Sequence, residues 1–430
     1  MKVGNGRLGI VDVMLVAGLV AVATTTAALA HHNPGSNAAV SLFDPSVYSP
    51  DNRSSVAVDA ASNQVNNVTV SLNGSSVIIH DPNVTLVTGT PDKCAISIDG
   101  HTATCTPTGT APPVPSVAIL LNDLADTLVN NAPIPSQSFD GQDFGPGFYA
   151  DGGPGEDDLT GSSTADYLFG GLGSDTARGL GGNDSLDDYD DQDFDNPPSE
   201  VLGDDHFFGG EGDDFLDGGS GADELRGGTG TDDLMGGTGN NILDGGTGVD
   251  EAMFNIPPVF DANDDLVPPL PTDPGALVVL KATAPTTGNG LSGQNDTIVG
   301  IEDVLGTAGA DNITGSAVGN DLAGLAGNDR IVGGAGPDRI LGGRHANNLN
   351  AVDRGVDRID CGGEAGGTAT VDAIDQVLRC AGTDLTTVSA RTITLNLRRH
   401  LVATGVLRTN GYGPCVSGAA VKIQKRRPEG

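Results

Sequence analysis

Between residues 31 and about 148, apolar and polar positions alternate as they do in half-buried strands, and helical periodicity is hard to find. Val65-Asn66-Asn67-Val68-Thr69-Val70-Ser71-Leu72, then Asn73-Gly74, then Val77-Ile78-Ile79-His80 reads as strand, turn, strand. A proline-rich stretch (Pro107, Pro112, Pro113, Pro115) interrupts the run, and Pro133 to Pro146 reads as a linker. These residues are expected to form a separate small β-module spanning 31–148.

The pattern changes at Asp151. From Gly152 the chain falls into blocks of nine: GGPGEDDLT, GSSTADYLF, GGLGSDTAR and GLGGNDSLD. After an acidic interruption come GGEGDDFLD, GGSGADELR, GGTGTDDLM, GGTGNNILD and GGTGVDEAM, closing a first array over 151–253. A stretch rich in proline and apolar residues, 254–289, reads as a linker or strand insertion. A second array over 290–363 carries GTAGADNIT, GSAVGNDLA, GLAGNDRIV, GGAGPDRIL and the fading GGRHANNLN. A fixed period of this kind defines the architecture ahead of any single residue.

Within a block, glycines at the first, second and fourth places allow backbone angles that other residues avoid. The eighth place is apolar: Leu159, Leu168, Leu186, Leu216, Leu225, Leu234, Leu243, Ile313, Leu322, Ile331 and Ile340. One short strand with one inward side chain therefore follows each turn. A nine-residue unit cannot bury one aliphatic side chain alone, so the units must stack, each side chain contributing roughly 1.5–3 kcal/mol when buried. Stacking at about 4.8 Å would align the sixth places in columns along each edge. Those places, with the matching acidic positions of the irregular blocks, are Asp157, Asp166, Asp175, Asp184, Asp205, Asp214, Asp223, Asp232, Asp250, Asp296, Asp311, Asp329 and Asp338. Oxygen-rich turns at that spacing suit several Ca²⁺ ions, which take about 6–8 oxygen ligands and accept backbone carbonyls. Magnesium demands a tighter octahedron, and the turns lack nitrogen and sulfur ligands for zinc.

At these residues the sequence resembles the hemolysin-type calcium-binding repeats of the repeats-in-toxin family. The resemblance covers about 152–253 and 290–350. It implies a parallel β-roll with two nonapeptides per turn, calcium between successive turns, and the sixth-place Asp and turn carbonyls as ligands. Gly300-Ile301-Glu302-Asp303-Val304-Leu305-Gly306 looks like that family's link between repeat blocks. Asn241, Asn320 and Asn347 replace the acid, so their sites are expected to be weaker or empty.

Charge and cysteine then narrow the setting. The formal net charge of −36 excludes nucleic-acid binding, which needs clustered Lys and Arg. Residues 1–30 read as an export signal, with Lys2 and Arg7 before the apolar run Met14 to Ala23 and Ala28-Leu29-Ala30 before a cleavage point. No other segment could cross a membrane. Cys94 and Cys105 flank a hairpin turn at Asp99-Gly100 and are expected to pair; Cys361 and Cys380 form a second expected pair, leaving Cys415 over. Family members often lack cysteine and leave the cell by a C-terminal signal, and this chain departs from both habits. Residues 390–430 form a basic segment that looks weakly like the opening strands of an immunoglobulin-like β-sandwich module.

Asp191-Gln192-Asp193-Phe194-Asp195-Asn196 echoes an EF-hand loop but lacks its glycine and its glutamate at the twelfth place. Asp261 to Asp265 is a fainter echo. There is no H-E-x-x-H zinc helix, no G-x-S-x-G elbow and no Walker lysine. The sequence therefore predicts an all-β, secreted, non-catalytic calcium-binding protein with cell-surface or matrix partners. The rival expectation is an exported hydrolase or adhesin in which the repeats serve as a folding or spacer module.

Overall fold

The computed structural model describes residues 37–43, 55–60, 63–88, 94–106, 116–135, 138–139, 142–143, 147–188, 203–254, 275–281, 284–362, 367–380, 384–388, 392–394 and 404–406. The expected signal peptide, both EF-hand echoes and Cys415 lie outside these residues. Every regular element among the described residues is a strand. The chain divides into two units, residues 1–268 with 283–303 and residues 269–282 with 304–430.

In the first unit the chain passes back and forth between two parallel sheets. One contains Ser55–Asp59, Ser116–Leu120, Phe148–Asp151, Asp166–Phe169, Ser185–Asp187, Phe215–Asp217, Asp233–Met235 and Glu251–Met253 in that order. The other contains Asn67–Asn73, Thr127–Asn130, Asp158–Thr160, Thr176–Gly181, His206–Glu211, Glu224–Gly230, Ile242–Gly248 and Asp296–Val299. Two nonapeptides thus make one coil, and the eighth places stack in register. Val68, Leu128, Leu159, Ala177, Phe207, Leu225, Leu243 and Ile298 form one interior column. Val58, Ile119, Ala150, Leu168, Leu186, Leu216, Leu234 and Ala252 form the facing one, and all sixteen side chains are buried. Small Ala177 beside large Phe207 keeps the thin core filled.

The residues expected as a separate module, 31–148, join the roll instead. Ser116–Leu120 pairs residue for residue with Phe148–Asp151, so the ladder crosses the expected boundary. The alternation that suggested an independent domain is that of the roll's first coils plus an end cap. Ser76–His80, Thr102–Cys105 and Cys94–Ile96 continue antiparallel from Asn67–Asn73. On the other sheet, Asn37–Phe43 pairs with Ser55–Asp59 and Thr85–Thr88 with Asn37–Phe43. These strands cover edges that a first coil would leave open to intermolecular pairing, the task of terminal repeats in a solenoid. Cys94 and Cys105 face each other across the antiparallel pair and are bonded, as the hairpin argument required.

The second unit repeats the plan. Ala276–Val279, Asn312–Thr314, Arg330–Val332, Asn348–Ala351, Thr368–Asp372 and Asp384–Val388 run parallel. Asp321–Ala323, Arg339–Leu341, Arg358–Asp360 and Gln376–Leu378 make its other sheet. The stretch 254–289 is therefore shared. Ala276–Val279 opens the second unit, while Thr286–Leu291 folds back antiparallel on Asp296–Val299 in the first. Cys361 and Cys380 are bonded across consecutive coils, beside an Arg379–Asp360 ion pair at 2.7 Å. Of residues 390–430, Thr392–Thr394 and Thr404–Val406 are described, as an antiparallel pair.

Candidate calcium sites along the roll edges

Each block's turn is shaped around its sixth residue. Gly170, at a first place, leaves room for the carboxylate of Asp175, since a Cβ there would come 2.8 Å from Oδ2. Gly171 and Gly173, at the second and fourth places, adopt positive φ, and a Cβ on Gly173 would lie 1.4 Å from the Gly155 carbonyl oxygen in the coil before. The glycines thus serve space at one place and backbone sign at the others.

All thirteen predicted acids are buried. Along one edge of the first unit, the backbone N–H of Asp126 donates to Asp157, Asp157 to Asp175, Asp175 to Asp205, and Asp205 to Asp223, over 2.6–3.0 Å to Oδ1 each time. That edge continues through Asn241 to Asp296. On the other edge Asp166 donates to Asp184, Asp184 to Asp214, Asp214 to Asp232, and Asp232 to Asp250. The second unit builds the same ladders from Asp311 to Asp329 and from Asn320 to Asp338.

One carboxylate oxygen is therefore fixed and the other is left over. The Oδ2 atoms of Asp157, Asp175, Asp184, Asp205, Asp214, Asp223, Asp232, Asp329 and Asp338 are buried without a hydrogen-bond donor among the described residues. Such an atom costs roughly 1–3 kcal/mol, more when charged, unless something answers it. Burial pushes Asp157, Asp184, Asp223 and Asp329 up to about 8, opposed by the backbone hydrogen bond and reinforced by neighbouring carboxylates. Asp175 and Asp338 are raised to about 7, and Asp205, Asp214, Asp232 and Asp296 to about 6, with burial again the leading cause. Buried oxygens repelling one another, in a cradle that a Cβ would fill, fit an oxygen-seeking cation such as Ca²⁺. When bound there, calcium would supply counter-charge to the column.

Two predicted ligands are in place but already satisfied. Ser162 and Thr307 stand where most blocks have glycine, and their N–H groups donate to Oδ2 of Asp166 at 2.6 Å and of Asp311 at 2.9 Å. Asn241 and Asn347 answer themselves, their amides donating to the Gly236 and Gly342 carbonyls at 2.6 and 2.7 Å. An amide bound to that carbonyl is a poor cation site, which gives the expected weakening a structural cause.

Sequence reasoning missed Asp126 and Asp357, which hold the same ladder position. Their signal was an acid two residues before a buried aliphatic, Leu128 and Ile359. At Asp126 it was hidden because Asn122 and Leu124 take the positive φ that glycine takes elsewhere.

A two-sheet coil of eighteen residues with buried carboxylate columns at its edges defines a calcium-binding parallel β-roll. Residues 151–186, 202–225, 226–251 and 323–351 match the RTX calcium-binding nonapeptide repeat, in four copies. Over these residues the chain carries hemolysin-type calcium-binding repeats. No curated protein matches the sequence.

Proposed function

We propose that this is an exported, non-catalytic protein of a cell surface or matrix whose rolls order as calcium rises. The observation that carries this reading is the column of buried carboxylates, nine of which leave one oxygen without a donor among the described residues. Without cation, neighbouring charges about 4.8 Å apart repel by roughly 1 kcal/mol in water and several times that near a protein surface. One small aliphatic side chain per block does not offset that repulsion and the ordering of so many glycines. A cation that binds the folded roll reverses the balance by mass action. The leader-like first 30 residues and the two disulfides support export, and no helix among the described residues is long and apolar enough to cross a membrane.

Circular dichroism of the exported chain during calcium titration tests this directly. Cooperative gain of β-structure with calcium, and little with magnesium, is expected; a spectrum indifferent to chelator would remove the reading. The non-catalytic part fails if the purified chain turns over peptide, ester or glycoside substrates and one His or Ser substitution abolishes that turnover.

A further inference from the structure

The array is interrupted after Asp187, and the residue that opens the interruption is unusual. Every other block of the first array starts with glycine: Gly152, Gly161, Gly170, Gly179, Gly209, Gly218, Gly227, Gly236 and Gly245. Asp188 occupies the same place. Its N–H donates to the Asp217 carbonyl at 3.1 Å, as the N–H of Gly170 donates to Asp187 and that of Gly218 to Met235. The block resumes at Gly203, so its sixth place is Asp205 and its eighth is Phe207.

A side chain at a first place points at the sixth-place carboxylate of its own block. A Cβ on Gly170 would meet Oδ2 of Asp175 at 2.8 Å, and one on Gly218 would meet Oδ2 of Asp223 at 2.8 Å. Asp188 puts a carboxylate into that space. It has no exposed surface, and among the described residues neither of its oxygens meets an N–H or hydroxyl donor. What they meet instead is acid: one oxygen each from Asp175, Asp188 and Asp205 lies within 4.8 Å of the other two. Ligands around one calcium at about 2.4 Å are separated by no more than about twice that distance.

We infer that Asp188 converts the Asp175–Asp205 step into a three-carboxylate calcium site, the tightest in the first array. The inference rests on the calcium reading of the repeats and adds a ligand that the nonapeptide pattern does not contain. Steps elsewhere along the edge offer two sixth-place carboxylates, as at Asp205 and Asp223. Calcium affinity rises with the number of charged ligands, so the site fills first. Filling it also anchors the start of the interruption to the roll, because Asp188 lies on one side of residues 189–202 and Asp205 just beyond them.

Calcium titration of the full-length, disulfide-intact chain by isothermal calorimetry, with circular dichroism in parallel, tests the site. Asp188→Gly restores the residue that every other block uses, so it should fold; Asp188→Asn keeps the shape and removes the charge. The wild type should show one equivalent bound at least tenfold more tightly than the rest. Both variants should lose that equivalent while reaching the wild-type spectrum at saturating calcium. A tight equivalent retained in Asp188→Gly overturns the three-carboxylate site and leaves the calcium reading intact. A wild-type chain that takes up no calcium overturns both.

Discussion

The two arrays share a backbone and differ in how their edges are charged. In the first, Asp157, Asp175, Asp205 and Asp223 follow one another along one edge and Asp184, Asp214, Asp232 and Asp250 along the other. In the second, each edge includes an amide, Asn347 after Asp329 and Asn320 before Asp338, whereas in the first Asn241 interrupts one edge and the other is acidic from Asp166 to Asp250. The outward seventh places differ in the same sense. Asp158, Glu224, Asp233 and Glu251 add negative charge to the first array, while Arg330, Arg339 and Arg358 oppose it in the second. Arg339 reaches Asp321 of the preceding coil at 2.5 Å. Arg178 and Arg226 pair with Asp158 and Glu224 in the first array too, so the two arrays differ in the balance of outward charge rather than in its kind.

The largest expected consequence appears on removing calcium. Hydrogen exchange of the full chain in chelator should show residues 152–253 exchanging almost completely, with 304–380 retaining clear protection. Equal exchange in both arrays would break the comparison. Next in size, changing Asp214, Asp223 and Asp232 together to Ala should raise the calcium midpoint of the first array by roughly tenfold or more. The same measurement on Asn241→Asp should move it the other way, because a carboxylate there no longer satisfies the Gly236 carbonyl.

The pH dependence follows from the raised carboxylates. The unfolded chain loses its protons near the ordinary value of 3.8, whereas buried Asp157, Asp184 and Asp223 hold theirs to about 8 in the metal-free roll. Between those limits the folded, metal-free state binds more protons, so its stability falls as pH rises from about 4 to 8. Calcium needs the deprotonated ligands and must displace those protons. The calcium midpoint should therefore climb several-fold between pH 8 and pH 6, with proton uptake by buffers of different ionisation enthalpy confirming the release. A pH-independent midpoint would contradict the burial of the ladder.

The smallest effect concerns backbone strain. Leu180 and Leu325 take positive φ at second places, 77° and 60°, where most blocks have glycine. Changing each to Gly in calcium-saturated protein should stabilise its array by about 1 kcal/mol, read as a thermal midpoint higher by about 2–4 °C. A lower midpoint would mean that the leucine side chains contribute more than their backbone costs.

The repeating period was legible because glycine, acid and aliphatic residue recur at fixed offsets over 152–253. The first coils were not legible for a specific reason. Their ladder steps are 60 residues between Asn66 and Asp126 and 31 between Asp126 and Asp157, against 18 within the uninterrupted parts of the array. Long excursions between coils erase a period while leaving the stacking unchanged. Asp166 and Asp311 were found by spacing, but spacing does not reveal that the neighbouring Ser162 and Thr307 amides already bind them.

The carboxylate ladder also has a polarity. Each acid accepts from an amide one coil nearer the N-terminus, so a coil's sixth N–H is answered only by the coil made after it. A nascent roll consequently always ends in a front of unanswered amides, and every coil added closes the one before like a one-way latch. Glu302 performs that closure for the amide of Asp250 at 3.2 Å, and Asp375 for the amide of Asp357 at 3.2 Å. Deleting residues from the C-terminal side of a roll would reopen this sixth-place front, whereas deletion from the other side would leave the sixth-place amides answered and instead strip the carbonyls that seventh-place amides such as those of Thr176 and His206 bond. The molecule is built to be finished from its far end.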